Sequence, residues 1–466
     1  MKEQSMSDEK IYIYHTNDLH SDLTYWPRIA NELREKRAIR EEKGDFVLVF
    51  DIGDAVDRVH PLTEATDGQA ISTLLSEGQY DAVTIGNNEG ITNSKEQLNQ
   101  LYQKNEYDVI LTNLLDDETK KTPKWATPYK IYRTKTGNRI GVLGMTTPLG
   151  ETYARLGWKV LNPIKEMQRF FKADTHKADF WILLSHLGLD QDRLIAKLFN
   201  IPLIIGAHTH HALVEGEVVA GTSLAGAGQF GQWLGEIVIG HQHGKLRVEA
   251  IQLLNAEKDI RPVADEAKKV AGYIKRGHQL LNAQKLAHIP EKLVYDWTKQ
   301  TKLADVTLDA IADFAGTNVA IINAGILMGD IEAGTVTADQ LHQAFPHPIR
   351  IMHCKMKGKH LLEFAQELIH VDRKMIHQQV RGFGFRGKVF GKLCLKGLAI
   401  DGSRITWQDE NIEQDKEYEF ATIDYFSFLP FFSKLNTYST QTVLFPDFIR
   451  NVVAKYLAKE YSDKTN

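Results

Sequence analysis

"IGNNEG", residues 85–90, closes an apolar run, "DAVTIGN" (81–87), by setting two asparagines side by side where the chain leaves a strand. A turn uses such residues, and so does a metal site. The ends of the other strands decide between them. Candidate strands are "KIYIYHTN" (10–17), "DFVLVFDIGD" (45–54), "DVILTNL" (108–114), "RIGVLGM" (139–145), "ADFWILLSH" (178–186) and "IPLIIGAH" (201–208). Most are short, continuous apolar runs, the pattern of strands covered on both faces. Helical stretches such as "WPRIANELREKRAIREE" (26–42) and "QAISTLLSEG" (69–78) lie between them. This alternation predicts a mainly parallel, layered α/β sheet.

Polar residues with ligand chemistry collect at the carboxyl ends of five of these strands. The first ends in "NDLH" (Asp18, His20), the second in "DIGDAVD" (Asp51, Asp54, Asp57) and the third in "GNNE" (Asn87, Asn88, Glu89). Two later ones end in "SHLG" (His186) and "GAHTHH" (His208, His210, His211). Each piece alone is an ordinary turn or surface residue. Together they point to one crevice, because the carboxyl ends of an open parallel sheet face the same side. Carboxylates mixed with imidazoles suit a pair of divalent ions about 3.5–4 Å apart, which can stabilise both the attacking and the leaving oxygen of a phosphate ester. Zinc, manganese, iron and cobalt all fit such a donor set, and the lack of a thiolate argues against a structural zinc.

The bulk composition agrees with a soluble multidomain protein. Of 466 residues, 43% are hydrophobic and 25% charged, and 56 basic against 60 acidic residues leave a net charge of −4. With no long run of one sign, neither a nucleic-acid polymer nor a membrane surface is an expected partner. No apolar run reaches the roughly 20 residues of a membrane helix. Cys354 and Cys394 are too few for a disulfide framework, and the charged start "MKEQSMSDEKIYIYHTND" has no apolar core, so the expected location is cytoplasmic. "SLAGAGQFGQWLGEIVIGHQHGKLRVEAIQLL" reads as antiparallel strands that end a first domain, residues 1–255. A polar stretch with Pro262 then leads into an amphipathic linker helix within 256–285, and a second α+β domain occupies 286–466.

The order Asp-X-His, Gly-Asp, Gly-Asn-X-Glu, a strand-terminal His and Gly-X-His-Thr-His resembles the calcineurin-like metallophosphoesterases. "NAGILMGDIEAGTVTADQLHQAFPHPIRIMHCKMKGKHLLEFAQ" resembles the C-terminal substrate domain of their 5′-nucleotidase branch. The resemblance implies a four-layer α/β/β/α catalytic domain followed by a smaller α+β domain. It also implies that Asp18, His20 and His210 hold one divalent ion, that Asn87, His186 and His208 hold a second, and that Asp54 bridges the two.

The chain departs from the family at Asn88, where a histidine that assists the leaving group is usual, and at Ile91, where its aspartate partner is usual. Asparagine can donate a hydrogen bond to a phosphoryl oxygen but cannot pass on a proton, a contribution worth about 10²- to 10⁴-fold. His60 and Arg58, just beyond Asp54, are candidates to supply an acid and a phosphate contact. In the second domain Asn323 and Gly325 lie in the Asn-X-Gly turn. His347 stands where a base-stacking aromatic is usual, Phe431 or Phe432 is the candidate for the opposite ring, and Met328 replaces an arginine for which Arg350, Arg381 or Arg386 could substitute. The expected function is hydrolysis of a small phosphate ester, a nucleotide or related metabolite, by attack of a metal-bridging hydroxide. Two alternatives stay open: a phosphodiesterase or pyrophosphatase on cyclic nucleotides, dinucleotides or nucleotide sugars, and a non-catalytic ligand-binding protein on the same fold.

Overall fold

The computed structural model describes residues 9–173, 177–380, 382, 384–401 and 404–461. The chain divides into two compact units, Met1–Gly277 and His278–Asn466. The expected linker segment contains one helix, Glu266–Asn282. Among the described residues no helix is long and apolar enough to cross a membrane.

In the first unit most of the described strands form two six-stranded sheets, the paired β layers of the expected α/β/β/α domain, where the apolar runs alone suggest a single sheet. One has the order Lys245–Asn255, Trp233–Gln242, Ile11–Thr16, Phe46–Asp51, Ala82–Val83, Asp108–Val109. The other runs Glu217–Val219, Thr222–Ala225, Leu203–Gly206, Phe180–His186, Arg139–Thr146, Tyr129–Arg133. The central strands of each are parallel, and antiparallel partners close one edge of the first sheet and both edges of the second. Ile13, Leu48 and Phe50 from the first sheet share one buried core with Ile182, Leu184 and Ile205 from the second. A second core on the other face of the second sheet includes Leu183, Ile195 and Ile204, and Ile195 belongs to a covering helix. Burial on both faces is what the unbroken apolar runs required. The two sheets thus bring strand ends distant in sequence to a common edge.

The second unit has a five-stranded sheet in the order Leu393–Lys396, Ala320–Asn323, Glu417–Ile423, Arg350–Lys357, Thr440–Phe448. Helices Lys302–Ala315, Gly358–Met375 and Ile449–Tyr461 bury leucines, alanines and valines in its core. The outer edge of Leu393–Lys396 is not bare: Asp372 accepts from Leu393 N and Gln300 accepts from Leu395 N. Side chains there stand in for a further strand and block edge pairing.

One core residue is out of character. His15 lies on the inner strand Ile11–Thr16 with no exposure, and neither ring nitrogen has a hydrogen-bond partner among the described residues. Burial pushes it down from 6.5 to about 3, so the folded chain holds it neutral while the unfolded chain protonates it. Stability present above pH 6.5 is therefore lost as the pH falls toward 3. Relative to His15→Leu, the native protein is expected to lose about 2 kcal/mol between pH 7 and pH 5 in urea unfolding; a gap that does not change with pH would refute the assignment.

Candidate metal centre

Strand geometry delivers the polar residues to one place, but the backbone has to leave the strand sharply to aim them. Five of the seven candidate ligands have left-handed backbones: Asp18 (φ 50°), His20 (47°), Asp54 (51°), His208 (73°) and His210 (58°). Non-glycine residues adopt such angles at a cost of order 1–3 kcal/mol each, and they persist where the surroundings enforce them. Gly53 (φ 89°) makes the turn into Asp54 possible. A Cβ there would sit 2.3 Å from Gly86 N, so the two loops touch backbone to backbone.

Two donor groups result, Asp18–His20–His210 and Asp54–His186–His208, each with its ligand atoms within 4.8 Å of one another. In the first, His20 Nε2 lies 3.8 Å and His210 Nε2 3.4 Å from Asp18 Oδ1, and the two ring nitrogens are 3.3 Å apart. In the second, His186 Nε2 is 3.4 Å from Asp54 Oδ2. The same Asp54 oxygen lies 4.0 Å from His20 Nε2, which puts this carboxylate between the groups. Asp18 and Asp54 are buried, while His20 and His208 are partly exposed and His210 exposed.

The donor atoms fit divalent cations. Asn87 Oδ1 and His186 Nε2 are buried without a hydrogen-bond partner among the described residues, a cost of about 1–3 kcal/mol each unless something binds them. His186 Nδ1 is 2.7 Å from Ile52 O and must donate to it, which leaves Nε2 as a lone pair in the ligating tautomer. Burial opposes a charged His186, yet the Asp54 and Asp18 carboxylates outweigh it and raise the ring to about 10. Asp54 is held below the usual carboxylate range, against its burial, by His186 and His20. Buried carboxylates here demand positive charge, and a cation that supplies it releases the proton.

Glu89 braces the loops that carry these ligands. Its carboxylate accepts from Asp54 N (2.8 Å), Gly86 N (2.8 Å) and Val56 N (3.0 Å). Burial and the neighbouring Asp54 raise it to about 7. Asp51 fixes the loop, not an imidazole: it accepts from Thr16 Oγ1 (2.6 Å) and Gly53 N (3.0 Å). Asp57 is the carboxylate behind a ring, 3.7 Å from His20 Nδ1.

The other expected site residues are placed differently. Asn88 donates from its backbone to Asp54 Oδ1 (2.7 Å), and its amide nitrogen lies 2.9 Å from His20 Nδ1 and donates to Val56 O (3.0 Å). Arg58 is buried and bonded to Glu64, Asp67, Asn93 and Thr92 O, so the phosphate contact expected of it is replaced by a structural knot. His60 caps the helix Pro61–Ala65, with Nδ1 accepting from Leu62 N. In the second unit Asn323 is spent internally, donating to Phe390 O and accepting from Tyr425 OH. Gly325 is packed against Phe390 O and Val389 O. His347, expected at a base, is fully buried, with Nε2 donating to Ile326 O and Nδ1 accepting from Arg386 N. Phe432 is likewise a core ring, stacked 4.2 Å from Phe426. Arg350 is buried between the Phe445 and Phe448 rings, and Arg381 lies outside the described residues. The exposed ring of that segment is Phe428, which sequence reasoning passed over for its neighbours.

Comparison with known proteins gives the same picture. Residues 11–212 match the calcineurin-like phosphoesterases and residues 285–428 the 5′-nucleotidase C-terminal domain. The metallophosphoesterase YunD of Bacillus subtilis is 33% identical, over 97% of this chain and 100% of that protein. A 5′-nucleotidase of Vibrio vulnificus is 23% identical, over 76% of this chain and 75% of its own. Among solved structures, the NAD nucleotidase of Haemophilus influenzae superposes with a TM-score of 0.64 at 15% identity, covering 97% of this chain and 96% of that one.

Gly86 gives a test that replaces no ligand. A Cβ there would lie 2.0 Å from Asp54 Oδ1 and 2.6 Å from Asp54 N, whereas at Gly150 it would meet nothing within 4 Å. Gly86→Ala is expected to weaken divalent-metal binding by about 10- to 100-fold in equilibrium dialysis, as loss of ligand support does, while Gly150→Ala leaves it unchanged. Equal metal content in both variants would count against the assigned centre.

Proposed function

This chain belongs to the calcineurin-like metallophosphoesterase family and carries a 5′-nucleotidase C-terminal domain, and from that membership we propose that it hydrolyses a small phosphorylated metabolite, a nucleotide or a close relative of one, at a dinuclear metal centre. The observation that carries the reading is the pair of donor groups with Asp54 between them, together with Asn87 Oδ1 and His186 Nε2, buried and without a hydrogen bond among the described residues. Asp18, His20 and His210 would hold one ion, Asn87, His186 and His208 the other, and Asp54 both. Divalent ions in such a centre supply the charge that stabilises the attacking and leaving oxygens of phosphoryl transfer.

The chain's own residues supply orientation. Ile52 O fixes the tautomer of His186, Asn88 N holds one Asp54 oxygen so that the other faces His20 and His186, and Glu89 holds the two loops at fixed separation. A nucleoside partner is supported by the Vibrio relative, a 5′-nucleotidase.

One observation favours a second reading, hydrolysis of diesters or pyrophosphates. The Asn88 amide is engaged by His20 and Val56 O and carries no transferable proton, so substrates whose leaving group needs no acid are favoured. His60 is the proton donor to weigh against it, because its Nδ1 accepts from Leu62 N and its proton must sit on Nε2.

A phosphorylated-metabolite panel with manganese and with zinc tests the reading. Asp54→Asn is expected to lower turnover by at least about a hundredfold on every substrate found; full activity in that variant would sink the mechanism. In the same assay, bis(p-nitrophenyl) phosphate turned over faster than the monoester selects the second reading. His60→Ala slowing the monoester alone selects the first.

A further inference from the structure

At the ligand-bearing edge of the first unit, left-handed backbone serves to aim polar groups. Besides the five candidate ligands, two residues there share it, Ser21 (φ 53°) and Phe230 (φ 59°). Ser21 has a polar task, since its hydroxyl accepts from Asp57 N (2.7 Å) and Thr63 Oγ1 (2.8 Å). Phe230 has none. For a bulky aromatic residue that backbone is a genuine outlier, and an outlier is evidence that something holds the ring in place.

What holds it is the ligand loop itself. Phe230 N donates to Asp18 O (2.8 Å), and Asn17, one residue earlier, donates to Gly228 O (2.7 Å) and accepts from Ala227 N (2.8 Å). Gly228 (φ 69°) and Gly231 (φ 61°) let the chain fold tightly around this anchor. The Phe230 ring then stands edge to face with His20, centroids 5.7 Å apart, and remains partly exposed. A strained, partly open aromatic beside a candidate ligand has more surface than the fold uses.

We infer that Phe230 is a specificity-determining residue, an aromatic wall beside the His20 side of the centre against which the organic group of the substrate ester packs while the phosphate faces the ligands. The inference rests on the metallophosphoesterase reading above. It predicts a preference for a planar, apolar group directly attached to the phosphoryl centre, because a ring offers stacking and edge contacts that a methyl group cannot match.

The test is equilibrium binding of two non-hydrolysable probes, phenylphosphonate and methylphosphonate, to the full-length manganese-loaded protein by calorimetry. The native protein should bind the phenyl compound more tightly. Phe230→Ala and Phe230→Leu should each reduce that preference about tenfold, with methylphosphonate affinity and manganese content within twofold of native, and Phe230→Tyr should keep it. A preference unchanged in both Phe230→Ala and Phe230→Leu overturns the wall, as does an equal loss of both probes together with manganese, which would make the ring only a support for His20. If native protein binds neither probe and Asp54→Asn retains full manganese, the metallophosphoesterase reading has failed, and the wall with it.

Discussion

Asp18 and Asp54 are ionisable groups almost sealed from water, and a buried carboxylate remains charged only if positive charge is brought to it. That requirement organises the first unit. One sheet contributes both carboxylates, His20 and Asn87 from the ends of its parallel strands. The other contributes His186, His208 and His210. Neither sheet has a complete donor set, so the centre exists only while the apolar core between them, with Ile13, Leu48 and Phe50 against Ile182, Leu184 and Ile205, fixes their spacing. Close packing of such a core resists small displacements, which suits ligands that must be placed within fractions of an ångström. The same rigidity sustains the left-handed residues at the edge, which an isolated loop would relax.

How much of this could be read from sequence follows from the range of the forces involved. The seven candidate ligands stand immediately after apolar runs, and a strand's direction carries its end to a shared edge, so their grouping was legible. The two β layers came from the family resemblance and not from the runs themselves, because a strand buried on both faces has the same composition whichever sheet it joins. Residues whose roles depend on tertiary partners were also misjudged. Arg58 follows Asp54 closely in sequence, but Glu64, Asp67, Thr92 and Asn93 enclose its guanidinium. His347 was expected at a base, yet Ile326 O and Arg386 N, 21 and 39 residues away, occupy its two nitrogens. Phe428, Phe431 and Phe432 are equivalent as letters, and only packing separates an exposed ring from a core one. For Phe230 the only sequence signal was its place between glycines, since a backbone angle has no letter of its own.

The substitution at Asn88 makes physical sense within this framework. The helix Asn87–Thr92 presents a candidate ligand at its first residue, and the next two brace the neighbouring loop: Asn88 through Asp54 and Val56, Glu89 through the backbone amides of Asp54 and Val56. Its far end and the residue after it take up Arg58, through Thr92 O and the Asn93 side chain. Loop 54–58 is therefore tied to this six-residue helix through Asn88, Glu89 and Thr92, and to Asn93 just beyond it. A histidine at position 88 would offer a transferable proton, whereas the Asn88 side chain spends an N–H on Val56 O (3.0 Å). Asparagine at this position gives up proton transfer, while the hold on Asp54 Oδ1 comes from its backbone N–H. Chemistry at such a centre leans on electrostatic placement, and the leaving group must then depart with help from charge alone or from a donor outside this helix.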